Sequence, residues 1–166
     1  MRHVTRYTIE QFMNTTTVLG GAFSPDEKSI LFTNKSTGIF NAYSIPIAGG
    51  TPQQLTHSTT DGIYALAYFP TGDRILVSQD KRGKETFHIY ALEIGGEMQD
   101  LTPGDGVTAR FFGESRNGAS FYTATNERDP HFFDIYKTNY VDLNAKCFSA
   151  IQWVTSSAVY QTTKTI

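Results

Sequence analysis

The 166-residue chain contains one cysteine, Cys147, so no disulfide can form within it, and a lone thiol fits a reducing compartment. Its 14 lysines and arginines stand against 16 aspartates and glutamates and form no cluster. The electrostatic footprint of a nucleic-acid partner is therefore missing. No apolar run approaches the ~18 residues of a membrane-spanning helix, so no membrane partner is expected. The opening "MRHVTRYTIEQFM" has basic residues with no apolar stretch behind them, and is not expected to act as a secretory signal. No Gly-x-Gly-x-x-Gly or Walker-type loop occurs, and His3, His57, His88 and His131 lack metal-ligand spacing. These absences predict a cytoplasmic protein without cofactor or metal.

What is present is sheet-forming and repetitive. Hydrophobic residues make up 39% and charged residues 18% of the chain, a globular balance. Aromatic residues reach 13%, and these suit pleated, half-buried surfaces. Three units follow one another: "GGAFSPDEKSILFTNKSTGIFNAYSIPIAGGTPQQLTHS", "IYALAYFPTGDRILVSQDKRGKETFHIYALEIGGEMQDLTPG" and "VTARFFGESRNGASFYTATNERDPHFFDIYKTNYVDLN". Tyr43, Tyr90 and Tyr136 stand 47 and 46 residues apart, and "QLTH" at Gln54 and "DLTP" at Asp100 repeat at 46. Independent landmarks thus agree on one period.

Each unit reads as four short strands. In the first, "GGAF" leads into the turn "SPDEKS", where Pro25 presets φ and Asp26 can bond nearby backbone. "ILFTN" is almost continuously apolar, as expected of a strand covered on both faces. "IFNAYSIPI", a Gly49-Gly50 turn and "QQLTH" complete the unit. Four strands at a period of about 40–50 residues is the pattern of β-propeller blades. The expected fold is all-β: about three four-stranded antiparallel blades of an incomplete, open propeller, over 17–58, 62–104 and 107–143. An uncovered blade edge invites association, so an isolated three-blade arc is expected to be poorly soluble or oligomeric.

The phrases "AFSPDEKSILF", "YFPTGDRILV" and "ESRNGASFY", each followed by an Ile-Tyr strand, resemble propeller repeats of TolB and of the prolyl oligopeptidase family. The opening "YTIEQFMNTTTVLGGAFSPDEKSILF" and the later "NERDPHFFDIY" look more like the peptidase group. The resemblance covers residues 7 to 143. It implies an N-terminal propeller that gates or docks peptide substrates for a C-terminal α/β-hydrolase domain carrying a Ser-Asp-His triad. The alternative is a TolB-like scaffold whose propeller mouth docks a protein partner. A third reading is a self-sufficient three-blade protein that closes by assembly.

Residues 144–166, "NAKCFSAIQWVTSSAVYQTTKTI", carry no Gly, Pro, Asp or Glu and match no blade. They predict either an irregular terminal strand or a slip of reading frame. Reading the bases two positions later, from the last base of the Lys146 codon, permits "MLFSNTMGYKLGGISNDKNN". Its "LGGISNDKN" echoes "LGGAFSPDEK" at Leu19 to Lys28.

A serine hydrolase places its nucleophile in a Gly-x-Ser-x-Gly elbow, and none occurs. The nearest match, Gly113, Ser115 and Gly118 in "GESRNG", occupies a turn slot that "SPDE" and "PTGD" fill in the other units. The chain alone is accordingly expected to be inactive, with no catalytic residue. "NERDPHFFD" is read as a loop whose Glu127, Arg128 and Asp129 could face the channel and contact substrate, carboxylates holding a peptide's ammonium group. The bland alternative is a solvated ion pair worth little. Phe111-Phe112 and Phe132-Phe133 are expected to pack between blades, and Cys147 to be inert.

Overall fold

In the computed structural model, which describes residues 6–13, 15–80 and 83–150, three separate antiparallel sheets each take their strands in chain order. The first comprises β1 (Val18–Phe23), β2 (Ser29–Asn34), β3 (Asn41–Pro46) and β4 (Gln53–Gln54). The second comprises β5 (Ile63–Tyr68), β6 (Arg74–Asp80), β7 (Phe87–Glu93) and β8 (Met98–Asp100). The third comprises β9 (Ala109–Glu114), β10 (Ser120–Asp129), β11 (Phe132–Asn139) and β12 (Ala145–Ser149). The sheets do not join into a barrel; they stack as successive blades, β5 packing on β1, β2 and β3, and β7 on β9. One short helix, α1 (Ile9–Met13), precedes them. It is closed by a reciprocal cap, Gln11 N donating to Thr8 Oγ1 at 3.3 Å and Thr8 N to Gln11 Oε1 at 2.8 Å.

The central residues of the inner strands of blade 2 are apolar on both faces. Alternate side chains of a strand point to opposite faces. On β6, Ile75 and Val77 enter the core shared with blade 1, while Leu76 enters the core shared with blade 3. On β7, Tyr90 and Leu92 face blade 1, and Ile89 and Ala91 face blade 3. These central residues are therefore buried on both faces between neighbouring blades. The first two blades are also stitched by hydrogen bonds, Ala65 N to Thr33 Oγ1 at 2.8 Å and the Ser44 and Tyr68 hydroxyls to each other at 2.9 Å.

The first strand of every blade contains a one-residue bulge opposite the second strand, between Leu19 and Ala22, at Leu66 and at Phe112. In blade 1 the extra residue is accommodated at Gly20, whose φ of 67° suits glycine. The turns that follow are built alike in blades 1 and 3. Ser24 Oγ donates to Asp26 Oδ1 at 2.7 Å and accepts from Ser29 N at 2.9 Å. Ser115 Oγ donates to Asn117 Oδ1 at 2.8 Å and accepts from Ser120 N at 3.0 Å.

The third blade extends past the boundary expected at residue 143. β12 pairs with β11 from Thr138↔Ala145 to Ile135↔Ser149, giving this blade its fourth strand. All five β12 side chains are exposed, so its pairing is by backbone and left no apolar signature to read. The remainder of the expected non-matching tail, residues 151–166, lies outside the described residues.

Candidate functional site

One position of the third strand holds a buried polar side chain in each blade: Asn41, His88 and Asp134, spaced like the tyrosines two residues on. A buried polar group is costly unless hydrogen-bonded. Asn41 Oδ1 accepts from Thr56 Oγ1 at 2.9 Å and from Ser58 N at 2.9 Å. His88 Nδ1 lies 2.8 Å from Asp100 Oδ2. Threonines of the "Leu-Thr" just after the fourth strand support both neighbourhoods, Thr56 Oγ1 accepting from Ala42 N at 2.8 Å and Thr102 Oγ1 from Ile89 N at 3.0 Å. Blade 3 has no such "Leu-Thr", and Asp134 is held by Arg128 of β10, whose Nε donates to Oδ2 and Nη2 to Oδ1 at 2.9 Å.

That arrangement corrects the expected loop. Glu127, Arg128 and Asp129 are the last residues of β10, a strand continuing to a tight reversal at Pro130 and His131. The chain stays extended because Ser120–Thr125 pair with β11 and Asp129 pairs again with Phe132, across a bulge. Arg128 is not one half of a fully solvated pair either: Asp134 is completely buried. The bond to Asp134 raises the Arg128 pKa. Asp129 Oδ1 accepts from the backbone N–H of His131 at 2.9 Å, and this bond lowers the Asp129 pKa. Burial pushes the Tyr136 hydroxyl up to about 12, assisted by its hydrogen bond with Glu127. Arg128 and Asp129 thus hold the hairpin, and Glu127 stands exposed on it beside Tyr136.

The hairpin is tied to the connection between blades 2 and 3. Thr108 N donates to Asn126 Oδ1 at 2.6 Å, and Asn126 Nδ2 to the Gly106 carbonyl at 3.4 Å. Gly106 also borders a cleft of about 570 Å³ lined by Asp61, Lys84, His88, Asp100 and Asp105. The cleft joins a His–Asp pair to further carboxylates and an amine. Among the described residues no three His, Cys, Asp or Glu converge as a metal site. No helix among them is long and apolar enough to cross a membrane.

The other singled-out residues fall as follows. Ser115 is a turn residue with both hydroxyl functions engaged, matching Ser24 in blade 1. His57 and His131 lie in connections and His88 in β7, while His3 lies outside the described residues. Phe111 packs on Phe121 at 6.2 Å between ring centres, in the core between blades 2 and 3. Phe112 is the bulge residue and is 66% exposed, against the expectation that it packs between blades. Phe133 lies under the Arg110 guanidinium at 5.2 Å, and Phe132 beside the His131 ring at 6.5 Å. Cys147 is exposed on β12. The third-strand polar position was missed in the sequence because its three occupants differ chemically; its 47- and 46-residue spacing is the signal that could have found it.

Three four-stranded meanders packed face to face, each with the same bulge and buried polar position, define a β-propeller. No family model matches the chain. It is 31% identical over 121 residues to dipeptidyl aminopeptidase BIII of Pseudoxanthomonas mexicana, covering 70% of this chain and 17% of that relative. The crystal structure of TolB from Acinetobacter baumannii superposes with a TM-score of 0.59 at 19% identity, over 79% of this chain and 32% of TolB. A prolyl endopeptidase, from a study of inter-domain dynamics in catalysis and specificity, superposes with a TM-score of 0.58 at 14% identity, over 80% of this chain and 22% of that one. In fold the chain is a run of TolB-like β-propeller blades, and in sequence it is similar to a dipeptidyl aminopeptidase. It spans less than a fifth of the length of the aminopeptidase it matches.

Proposed function

We propose that this propeller gates or docks peptides for a serine-peptidase hydrolase domain that this chain does not itself carry, in the cytoplasm. The observation that carries the reading is the 31% identity with a dipeptidyl aminopeptidase, confined to 17% of that enzyme. The β10–β11 hairpin supplies the substrate contact: the exposed Glu127 carboxylate meets a peptide's ammonium group, while Arg128 and Asp129 keep the hairpin in shape. The chain alone has no peptidase activity on this reading.

The coding DNA downstream of the Asn139 codon tests it. A frame that resumes blade repeats and reaches Gly-x-Ser-x-Gly, with a later Asp and His, is the expected result. If no frame does so, the peptidase reading fails, and a TolB-like protein-docking scaffold takes its place. Where the longer protein is found, Glu127→Gln should raise KM for peptides with a free amino terminus and leave amino-terminally blocked peptides unaffected. Equal effects on both would remove Glu127 from substrate contact.

A further inference from the structure

The face of blade 3 turned away from blade 2 carries two lysines directly opposite each other. Phe121 enters the core shared with blade 2, so its strand neighbours Ser120 and Tyr122 point the other way. Ser120 pairs with Asn139 and Tyr122 with Lys137 across β10 and β11, and Lys137 pairs in turn with Lys146 of β12. Paired residues share a face of the sheet, so Ser120, Lys137, Asn139 and Lys146 stand together on it. Like charges directly opposite on neighbouring strands repel, and an anion between them relieves that repulsion.

These four residues line a cavity of about 260 Å³, with Asp142 and Asn144 of the β11–β12 turn completing the lining. Ser120 is only 5% exposed. Its backbone N donates to Ser115 Oγ at 3.0 Å and its carbonyl accepts from Ser115 N at 2.7 Å. Its hydroxyl takes no part in either bond and has no hydrogen-bond partner among the described residues. A buried hydroxyl left in that state costs stability and calls for a reason. Asn139 Oδ1 accepts from Val141 N at 2.8 Å, which leaves the Nδ2 amide as a donor. Lys137 Nζ lies 5.9 Å from the centre of the Tyr122 ring, a contact that keeps its N–H groups for a ligand. Asp142 Oδ1 accepts from Asn144 N at 3.0 Å and so serves the turn. The lining therefore carries two positive charges against one negative.

We infer that this cavity binds a phosphate group, as inorganic phosphate or as a phosphate monoester. Two ammonium groups, a hydroxyl and a carboxamide bring donors to one small space, and the oxygens of a phosphate can accept from all of them. The paired lysines disfavour a cation. The inference needs only blade 3, and stands or falls separately from the peptidase reading.

The test uses the full chain, titrated with inorganic phosphate, methyl phosphate and acetate at constant ionic strength, and read by calorimetry and thermal melting. Both phosphates should bind saturably and raise the melting temperature, and acetate should not. Tighter binding of methyl phosphate than of inorganic phosphate would assign the ester as the ligand, and the reverse order the free ion. Ser120→Ala leaves both backbone bonds to Ser115 in place, and should weaken phosphate binding about fivefold. Lys146→Gln should melt higher than the parent without ligand, because the like-charge pair is gone, yet bind phosphate at least about tenfold more weakly. Acetate binding as tightly as phosphate, or a phosphate affinity unchanged in both variants, would overturn the inference.

Discussion

The Arg128 guanidinium grips the buried Asp134 carboxylate through two parallel N–H···O bonds inside one hairpin, six residues apart in sequence. The pair takes the place in blade 3 that Asn41 with Thr56, and His88 with Asp100, occupy in the other blades. A buried charge left without its partner is strongly destabilising, and lysine cannot reproduce a bidentate fork. Arg128→Ala should therefore lower the thermal midpoint more than Asp129→Asn does, with Arg128→Lys recovering only part. Asp134→Asn exchanges charge-assisted bonds for neutral ones and should cost about 2 kcal/mol in a urea titration. An Arg128→Ala midpoint equal to that of the parent would show the pair to be dispensable.

Thr102 supports the polar position of blade 2 through the Ile89 N–H, and is 5% exposed. Thr102→Val keeps the shape and removes the acceptor, so the Ile89 N–H is left buried and unpaired. The expected loss is about 1–3 kcal/mol by chemical denaturation. The same change at Thr56 should behave alike, because Thr56 serves Ala42 in the same way.

The turn after each first strand places one residue in the left-handed region: Glu27 at φ 57°, Gly72 at 78° and Gly118 at 66°. Glycine accepts that conformation freely, and a side chain there costs roughly 1–2 kcal/mol. Glu27→Gly should therefore stabilise the chain, by up to about 1 kcal/mol after glycine's greater freedom in the unfolded chain is offset. Gly118→Ala should destabilise it by about 1 kcal/mol. Paired thermal melts of the two variants check the opposite signs.

Tyrosine ionisation should mark the alkaline limit of the fold. Burial pushes Tyr136 up to about 12, and burial with a hydrogen bond to Glu114 pushes Tyr140 higher still. Tyr140 also packs against Phe69 at 4.9 Å and Phe121 at 5.0 Å. Both hydroxyls hold their protons more tightly in the folded chain than in the unfolded one. Their contribution is complete below the ordinary tyrosine value near 10 and is lost as pH rises beyond it, through about 12 for Tyr136. Far-UV dichroism and tyrosinate absorbance followed together from pH 9 upward should show unfolding coupled to ionisation. Tyr140→Phe should flatten that dependence; a fold indifferent to pH over this range would contradict it.

The repeat was legible because a propeller presents nearly the same surroundings to equivalent residues of each blade. Tyr43, Tyr90 and Tyr136 recur for that reason, as do the turns led by Ser24 and Ser115. Asn41, His88 and Asp134 recur too, yet their shared requirement is only a buried, hydrogen-bonded polar group, which three chemistries satisfy with different partners. The hairpin at Glu127–Asp129 read as a loop because three consecutive charged residues resemble solvated chain, whereas the Asp134 partner makes one of them part of the interior.

The order of residues alone thus determined the period and the four-strand unit, since each depends on side-chain alternation and turn chemistry within about 46 residues. Tertiary structure decided the rest. β12 exists because β11 offers a backbone edge to pair with, which its own exposed side chains do not announce. The core between blades 2 and 3 exists because β6 and β10, some 45 residues apart, bring Leu76 and Phe121 into one buried cluster. Contacts between blades are set by how whole sheets stack, and no local pattern within either strand encodes them.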